Sequence, residues 1–245
     1  CPSGYAIEKT STCSNPLLPS VSRAYVLTMS HSTRLANIRT SGLTKLCPEL
    51  FIQTNEGFKT GKKPSHIDST AKDLIHAYQN VCADCSQVMG SVLILEDDAM
   101  IIEDNLKIFE EIDAFVRTEK FDVYSLGSFG LFDQKGSVAN HRKFRSKMGF
   151  SQAVIWSSQS RAHFLAQDLR AQVHIDVHTL SQFGAKYSYK CPVIVQLFPV
   201  TESMASWCLR CKGEIFEKII VQIWQSFLQK TLRLDRCHDG WNTLY

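Results

Sequence analysis

The apolar run at residues 92–95, followed at once by Glu96, Asp97 and Asp98, constrains the fold of this chain more than any other segment. Four consecutive apolar residues are typical of a strand that is buried on both faces, as in a parallel sheet covered by helices. The three carboxylates then lie where the strand leaves the sheet, at the edge where open α/β sheets bind ligands. Adjacent carboxylates repel one another, so we expect a countercharge at this edge.

A divalent cation is the expected countercharge, because carboxylate oxygens are preferred ligands of Mg²⁺ and Mn²⁺. A metal ion held by one or two of these carboxylates could also bind a diphosphate. The alternative interpretation is a solvated acidic turn at the end of a strand, since short motifs of this kind also occur without a function.

Composition limits the classes of protein to which the chain can belong. Its 245 residues are 44% hydrophobic and 21% charged, which predicts a globular protein with a sizeable core. The net charge of +3 is too small to predict nucleic-acid binding. No uninterrupted apolar stretch approaches the length of about 18 residues that a transmembrane helix requires, so we expect none.

The nine cysteines include two Cys-x-x-Cys pairs, Cys82/Cys85 and Cys208/Cys211. Together the pairs could form a four-thiolate zinc site, but the 122 residues between them exceed the usual zinc-ribbon spacing. Buried free thiols, which are typical of a reducing compartment, are the favoured interpretation. The chain begins at Cys1 without a signal-peptide pattern. We therefore expect a cytoplasmic location, in the host cytoplasm if the chain is viral.

Strands and helices alternate along the chain, with a loop at residues 128–147. Buried strands are predicted at residues 23–29, 50–54, 91–95, 121–127, 150–156, 187–189 and 193–197. Helices with an apolar face are predicted at residues 69–82, 105–116 and 214–234, and capping residues predict a further helix at residues 157–170. The alternation predicts an α/β fold with a mainly parallel central sheet flanked by helices.

Thr28 and Arg34 lie where the first buried strand turns into a helix. The fork-shaped guanidinium group of an arginine suits a diphosphate or a base, and Thr28 would line the same pocket. The alternative interpretation of Arg34 is a surface residue at the start of a helix.

His174, Asp176 and His178 occupy alternating positions, so in a strand all three side chains would point to one face. Asp176 could then act as a general base that deprotonates a hydroxyl group. His178 or His174 could complete a metal site or hold an acceptor. Alternatively, Asp176 caps the short helix that follows and the histidines are packing residues.

The order of these features resembles glycosyltransferases of the GT-A fold, and in particular glycosyltransferase family 25, the lipopolysaccharide and collagen type. The first motif of that family is similar to residues 26–34, with threonine in place of asparagine. The central Glu-Asp-Asp is kept at residues 96–98. The third motif resembles residues 149–157 without its tyrosine, and the Val-Asp element resembles residues 173–176. The resemblance covers about residues 23–206. A weaker one is to the capsid-glycan glycosyltransferases of large algal viruses.

The resemblance implies a metal-dependent enzyme that moves a sugar from a nucleotide sugar, a UDP-sugar, to a hydroxyl group of a glycan on a protein or lipid. It implies Mn²⁺ or Mg²⁺ bound directly by Asp98, with Glu96 and His178 as further ligands. Glu96 and Asp97 would support the metal or contact the ribose and the sugar. With Asp176 as the base, the transfer is expected to invert the anomeric configuration.

The expected organisation is an irregular leader at residues 1–22, a single GT-A-like catalytic domain at residues 23–212, and an amphipathic helix and tail at residues 213–245. The apolar face of that helix predicts packing on the domain or homodimerisation, with docking to a membrane surface as the alternative. Two other functions stay open, a catalytically inactive glycan-binding relative and a sugar nucleotidyltransferase. The latter class usually has a basic, glycine-rich loop early in the chain, which is absent here.

Overall fold

The computed structural model shows a mixed α/β fold with a large central sheet. The residues it describes, to which all structural statements here refer, are 4–32, 34, 35, 38, 42–101, 105–127, 134–145 and 152–196. The C-terminal helix and tail expected at residues 213–245 lie outside the described residues.

The strands of the described residues, in chain order, are β1 (Tyr5–Thr12), β2 (Val21–Met29), β3 (Glu49–Asn55), β4 (Ser91–Glu96), β5 (Ala99–Ile101), β6 (Val123–Ser125), β7 (Gln134–Val138), β8 (His141–Phe144), β9 (Ala153–Trp156), β10 (Lys186–Tyr189) and β11 (Ile194–Gln196). The longer helices are α1 (Thr70–Asp84), α2 (Leu106–Thr118) and α3 (Ser158–Leu165). Nine strands form one sheet in the order β1-β3-β2-β4-β9-β6-β10-β8-β7, and β5 pairs with β11.

The helices predicted at residues 69–82 and 105–116 are confirmed as α1 and α2. At the start of α1 the hydroxyl of Ser69 accepts a hydrogen bond from the backbone N–H of Lys72, and Asn105 caps α2 in the same way. The apolar face of α1 is buried against the sheet. No helix of the described residues has the length and apolar character that crossing a bilayer requires.

The central sheet is mixed, so the prediction of a mainly parallel sheet is wrong. β2 runs parallel to both β3 and β4, and β6 runs parallel to β10. The other neighbouring pairs of described strands are antiparallel. The four residues of β9 are all buried, and a strand covered on both faces shows the same apolar run in either direction. The apolar pattern therefore cannot give the direction in which β9 runs.

The expectation of an irregular leader at residues 1–22 is wrong for the part that forms β1. This strand pairs antiparallel with β3 at one edge of the sheet. Tyr5 and Ile7 pack against the core on one face, and such a half-buried edge strand has a weaker apolar signal than a central one. The N–H and hydroxyl of Ser20 donate hydrogen bonds of 2.7 and 2.8 Å to the carboxylate of Asp113, which ties the segment to α2.

The loop expected at residues 128–147 contains a hairpin, in which β7 and β8 are joined by a turn at Ala139 and Asn140. Ala139 has a positive φ of 49°, a conformation that is uncommon outside tight turns. Because β8 also pairs with β10, the described part of this segment belongs to the sheet. The helix predicted at residues 157–170 is shorter than expected, since α3 ends at Leu165.

The cysteines Cys13, Cys47, Cys82 and Cys85 are free thiols, whereas Cys191 is disulfide-bonded. The expectation of buried free thiols for the Cys-x-x-Cys pairs is therefore confirmed for Cys82 and Cys85, whereas Cys208 and Cys211 lie outside the described residues. Burial raises the pKa of Cys82 well above its ordinary value and that of Cys85 to about 11, so both stay in the neutral form that binds metals poorly. Because disulfides are rare in reducing compartments, the cytoplasmic location stays a prediction.

His141 on β8 lies inside an aromatic cluster. Phe115 stacks on its ring at a centroid distance of 4.1 Å, and the hydroxyl of Tyr124 lies 2.8 Å from its Nδ1 atom. Only 5% of the residue is exposed. Burial lowers the pKa of His141 to about 4, although the carboxylate of Glu111 opposes this shift. The imidazole is therefore neutral in the folded protein at all but acidic pH.

We predict that this histidine makes the folded state less stable as the pH falls. At pH values between the ordinary pKa of histidine and about 4, the unfolded chain binds a proton at His141 that the folded protein does not bind. Urea unfolding should show a loss of about 2 kcal/mol from this residue between about pH 7 and about pH 5. His141→Gln should reduce this pH dependence, whereas His163→Gln, at an exposed position on α3, should leave it unchanged. An equal pH dependence in wild type and His141→Gln would contradict the prediction.

Candidate active site at the carboxyl edge of the sheet

Three parallel strands, β3, β2 and β4, have their carboxyl ends at the same edge of the sheet. The register between β2 and β4 pairs Leu27 with Glu96, so the next residues along the two strands are Thr28 and Asp97. The pairing of β2 with β4 thereby brings the acidic motif, residues 96–98, beside the carboxyl end of β2. Ligands of α/β folds bind at edges of this kind.

The carboxylate of Asp97 accepts hydrogen bonds from three side chains, one at the end of β2 and two in the turn that follows it. Its Oδ2 atom lies 2.7 Å from the hydroxyl of Thr28 and 2.9 Å from the hydroxyl of Ser32. Its Oδ1 atom accepts a 3.0 Å hydrogen bond from Nη1 of Arg34. Hydrogen bonds to a charged carboxylate are stronger than neutral ones, so this network fixes the turn after β2 to the end of β4.

The guanidinium group of Arg34 also lies near Asp98, with 3.7 Å between its Nη1 atom and the Oδ2 atom of Asp98. Asp98 is only 2% exposed, and the side chain of Arg34 is 27% exposed. One positive side chain therefore faces two adjacent carboxylates. The countercharge expected from the sequence is supplied, at least in part, by the chain itself.

Glu96, the last residue of β4, has different neighbours. The hydroxyl of Tyr78 on α1 lies 3.4 Å from its Oε1 atom, and its backbone N–H donates a 2.9 Å hydrogen bond to the carbonyl oxygen of Gln152. Glu96 is partly exposed, whereas Tyr78 is fully buried. The acidic motif is thus held from two sides, by α1 at Glu96 and by the turn after β2 at Asp97.

The strand geometry expected for His174, Asp176 and His178 is wrong, because Ile175–Thr179 forms a single turn of π-helix. The Nδ1 atom of His174 accepts a 3.4 Å hydrogen bond from the backbone N–H of Asp176, and such a local side-chain contact favours a helix start over an extended strand. Residues two apart in a helix point in different directions, so the three side chains do not share one face. His178 is exposed. The roles of Asp176 and His178 stay predictions.

A three-ligand metal site is not assembled in the part of the chain that the structure describes. No group of three or more His, Cys, Asp or Glu side chains there has an arrangement that could hold a metal ion. The expected ligands Asp98, Glu96 and His178 are therefore not brought together as a set. Within the acidic motif, both oxygens of Asp97 already accept hydrogen bonds, which leaves Asp98 and Glu96 as the candidate ligands.

Sequence reasoning missed two residues of this site, Ser32 and Tyr78. Ser32 lies in the polar turn after β2, where its hydroxyl both accepts a hydrogen bond from the N–H of Arg34 and donates to Asp97. The spacing of Tyr78 fits the apolar face of α1, so the sequence predicts a packing role for it. No local sequence pattern predicts that Ser32 contacts Asp97 or that Tyr78 contacts Glu96, because each pair is far apart along the chain.

A second charged network lies at the end of β3. The ammonium group of Lys63 is buried and pairs with the carboxylate of Asp73 on α1. It also donates hydrogen bonds to Oδ1 of Asn55, at 2.6 Å, and to the hydroxyl of Tyr5, at 2.9 Å. One lysine therefore joins β1, β3 and α1. A lysine within a polar loop predicts a solvated side chain, so its burial could not be read from the sequence.

An open pocket lies beside this network and is lined by Gly4, Tyr5, Ala6, Ser30, Thr54, Glu56 and Lys62. Glu56 and Lys62 form an ion pair of 2.6 Å, and both side chains are exposed. Ser30 belongs to the same turn after β2 that carries Ser32. The hydroxyl and charged groups of the pocket offer hydrogen bonds to a polar ligand.

Comparison with known proteins adds little to this geometry. No protein-family model matches the chain, and no curated protein matches its sequence. Among solved structures the chain is similar to A197 from STIV, with a TM-score of 0.43 and 13% identity over 79% of this chain and 100% of that one. We draw no functional conclusion from a similarity at this level. Membership of glycosyltransferase family 25 therefore stays a prediction, and the chemistry of the site rests on its own side chains.

We predict that Lys63→Met destabilises the protein by about 3–5 kcal/mol, because it leaves the buried carboxylate of Asp73 without its cationic partner. The matched control is Lys62→Met, which removes an exposed ion pair with Glu56 and should cost about 0–1 kcal/mol. Chemical denaturation of the two variants and the wild type gives both values. Equal stability of the two variants would show that the Lys63 network does not hold the edge together.

Proposed function

We propose that this protein is a glycosyltransferase that moves a sugar from a nucleotide sugar, a UDP-sugar, to a hydroxyl group of a glycan acceptor on a protein or lipid. The observation that supports the proposal is the contact of Asp97 with Thr28, Ser32 and Arg34. This contact joins the acidic motif to the end of β2 and the turn after it. These two segments carry the resemblance to GT-A glycosyltransferases.

The charges at this edge suit a nucleotide diphosphate. The fork of an arginine side chain forms paired hydrogen bonds with phosphate oxygens, and Arg34 is partly exposed at the carboxyl ends of the parallel strands. Two carboxylates of the acidic motif, those of Asp98 and Glu96, can supply oxygen ligands for a hard cation in the same place. A site that combines both kinds of group can bind the diphosphate and neutralise the charge that develops when it leaves.

A divalent cation fits the donor set, because Mg²⁺ is usually held by one or two carboxylates together with water and substrate phosphates. Asp98 and Glu96 would supply the carboxylates, and Asp97 would keep the turn after β2 in place. His178, exposed on the π-helical turn, is the third proposed ligand. When bound, Mn²⁺ or Mg²⁺ supplies Lewis-acid stabilisation of the diphosphate leaving group.

Asp176 is the proposed general base. Its carboxylate is 23% exposed, so solvent and an acceptor hydroxyl can reach it, and Nδ1 of His174 lies 4.0 Å from its Oδ2 atom. In the proposed reaction Asp176 takes the proton of the acceptor hydroxyl while the acceptor oxygen bonds to the anomeric carbon. The bond from that carbon to the diphosphate oxygen breaks, the nucleoside diphosphate leaves with the electron pair, and the configuration is inverted.

A screen of nucleotide sugars separates this function from the two alternatives. The proposed enzyme should be stabilised against heat by a UDP-sugar in the presence of Mn²⁺, and should slowly hydrolyse that donor or transfer its sugar. A glycan-binding relative would bind the glycan and leave every nucleotide sugar intact. A nucleotidyltransferase would instead release pyrophosphate from a nucleoside triphosphate and a sugar phosphate.

We predict that Asp98→Asn lowers the transfer rate in Mn²⁺ by about 10²-fold or more, because it removes a negative charge from the proposed metal ligand set. The change is nearly isosteric, so circular dichroism should show an intact fold although Asp98 is buried. Asp168→Asn, which removes an exposed carboxylate, is the matched control and should keep the wild-type rate. A rate near that of the wild type in Asp98→Asn would rule out the metal assignment.

We predict that Asp176→Asn lowers kcat by about 10²- to 10⁴-fold while the donor still binds, because the amide cannot accept a proton. Asp98→Asn should instead weaken Mn²⁺-dependent UDP binding, so calorimetry separates the two roles. The first-formed glycoside should have the anomeric configuration opposite to that of the donor when it is examined by NMR. Retention of configuration would refute direct displacement, and Asp176 would then have a structural role at its helical turn.

A further inference from the structure

Arg34 has a position that the proposed function does not by itself require. Its Nη1 atom lies 3.0 Å from Oδ1 of Asp97 and 3.7 Å from Oδ2 of Asp98, so one guanidinium group faces both carboxylates. Asp98 is one of the two carboxylates proposed to bind a divalent cation. A cationic side chain therefore lies next to an oxygen that the metal ion would have to reach.

Two cations beside the same carboxylate repel each other, and each lowers the affinity of the site for the other. A diphosphate removes this conflict, because it offers new negative oxygens to the guanidinium group and to the metal ion together. The fork of Arg34 suits such an anion, and its side chain is exposed enough to contact one.

We propose that Arg34 is an internal cation, whose guanidinium group offsets part of the negative charge of the Asp97–Asp98 pair in the donor-free protein and moves to the diphosphate when the nucleotide sugar and its metal ion bind. The inference rests on the proposed function and adds to it the order in which the metal ion and the diphosphate bind. The free protein binds a divalent cation weakly, and the cation and the diphosphate enter the site together. Arg34 thereby couples the two ligands and keeps the metal site closed without the donor.

The turn after β2 can release the guanidinium group without losing its attachment to β4. Oδ2 of Asp97 accepts hydrogen bonds from the hydroxyls of Thr28 and Ser32, whereas Arg34 donates to Oδ1. When the guanidinium group moves to a phosphate, the two hydroxyls continue to hold Asp97. The backbone of Arg34 also stays in place, because its N–H donates to the hydroxyl of Ser32.

The test is to titrate the 245-residue chain with Mn²⁺ alone, and then with UDP at saturating Mn²⁺, by calorimetry. Arg34→Gln should bind Mn²⁺ alone about 10-fold more tightly than the wild type, and should bind UDP about 10-fold more weakly. Arg34→Lys keeps the charge but loses the fork, so it should change Mn²⁺ affinity less and still weaken UDP binding. The matched control is Arg23→Gln at the amino end of β2, where Arg23 pairs with Glu49, and it should change neither affinity.

Arg34→Gln should strengthen Mn²⁺ binding and weaken UDP binding. These opposite changes distinguish the proposed movement of the guanidinium group from structural damage, which would weaken the binding of both ligands. Weaker binding of both ligands by Arg34→Gln and Arg34→Lys would overturn the inference, as would unchanged Mn²⁺ affinity in Arg34→Gln. In either case a wild-type chain that binds UDP with Mn²⁺ would leave the proposed function standing. A wild-type chain that binds neither Mn²⁺ nor UDP would refute the proposed function and this inference with it.

Discussion

The register between β2 and β4 is the constraint on which the candidate site depends. With Leu27 opposite Glu96, the hydroxyl of Thr28 reaches Asp97, and the turn after β2 is fixed to the acidic motif. A shift of one residue would turn every side chain of one strand to the opposite face of the sheet. The core resists such a shift, because close-packed interiors tolerate few changes of shape and residues 92–95 are fully buried. Packing in the middle of the sheet thereby determines the chemistry at its edge.

The parts of the fold that the sequence predicts correctly have strong local signals. The helices α1 and α2 each begin at a capping side chain and repeat apolar residues at helical spacing, and both predicted ranges agree with the structure to within two residues at each end. The strands β2, β3 and β4 were found because continuous apolar runs are rare outside buried strands. The position of the acidic motif at the carboxyl end of β4 follows from the same signal.

The features that the sequence does not predict depend on contacts between distant residues or on competition between local structures. The direction of β9 depends on which neighbours it meets, and its buried residues fit a parallel or an antiparallel partner. Only one face of β1 is partly buried, so polar residues interrupt the apolar pattern that would predict a strand. At residues 174–178 a strand pattern competes with a helical turn, and the turn is formed because the side chain of His174 caps it. Lys63 is buried because Asp73 and Asn55 surround it from other elements.

Asp97 and Asp98 are chemically identical neighbours, and only the fold gives them different environments. Asp97 accepts hydrogen bonds from three donors, whereas Asp98 is almost inaccessible and faces the same arginine at a longer distance. If all three carboxylates of the motif are ionised, Arg34 leaves an excess of two negative charges at this edge. Such an excess attracts a divalent cation, and the guanidinium group of Arg34 beside Asp97 and Asp98 weakens that attraction as long as no anion is bound. The excess also repels a bare diphosphate, so we expect an anionic ligand to bind more tightly when a cation enters with it. Cooperation between a cation and a diphosphate is therefore expected from the charges alone, without reference to any family.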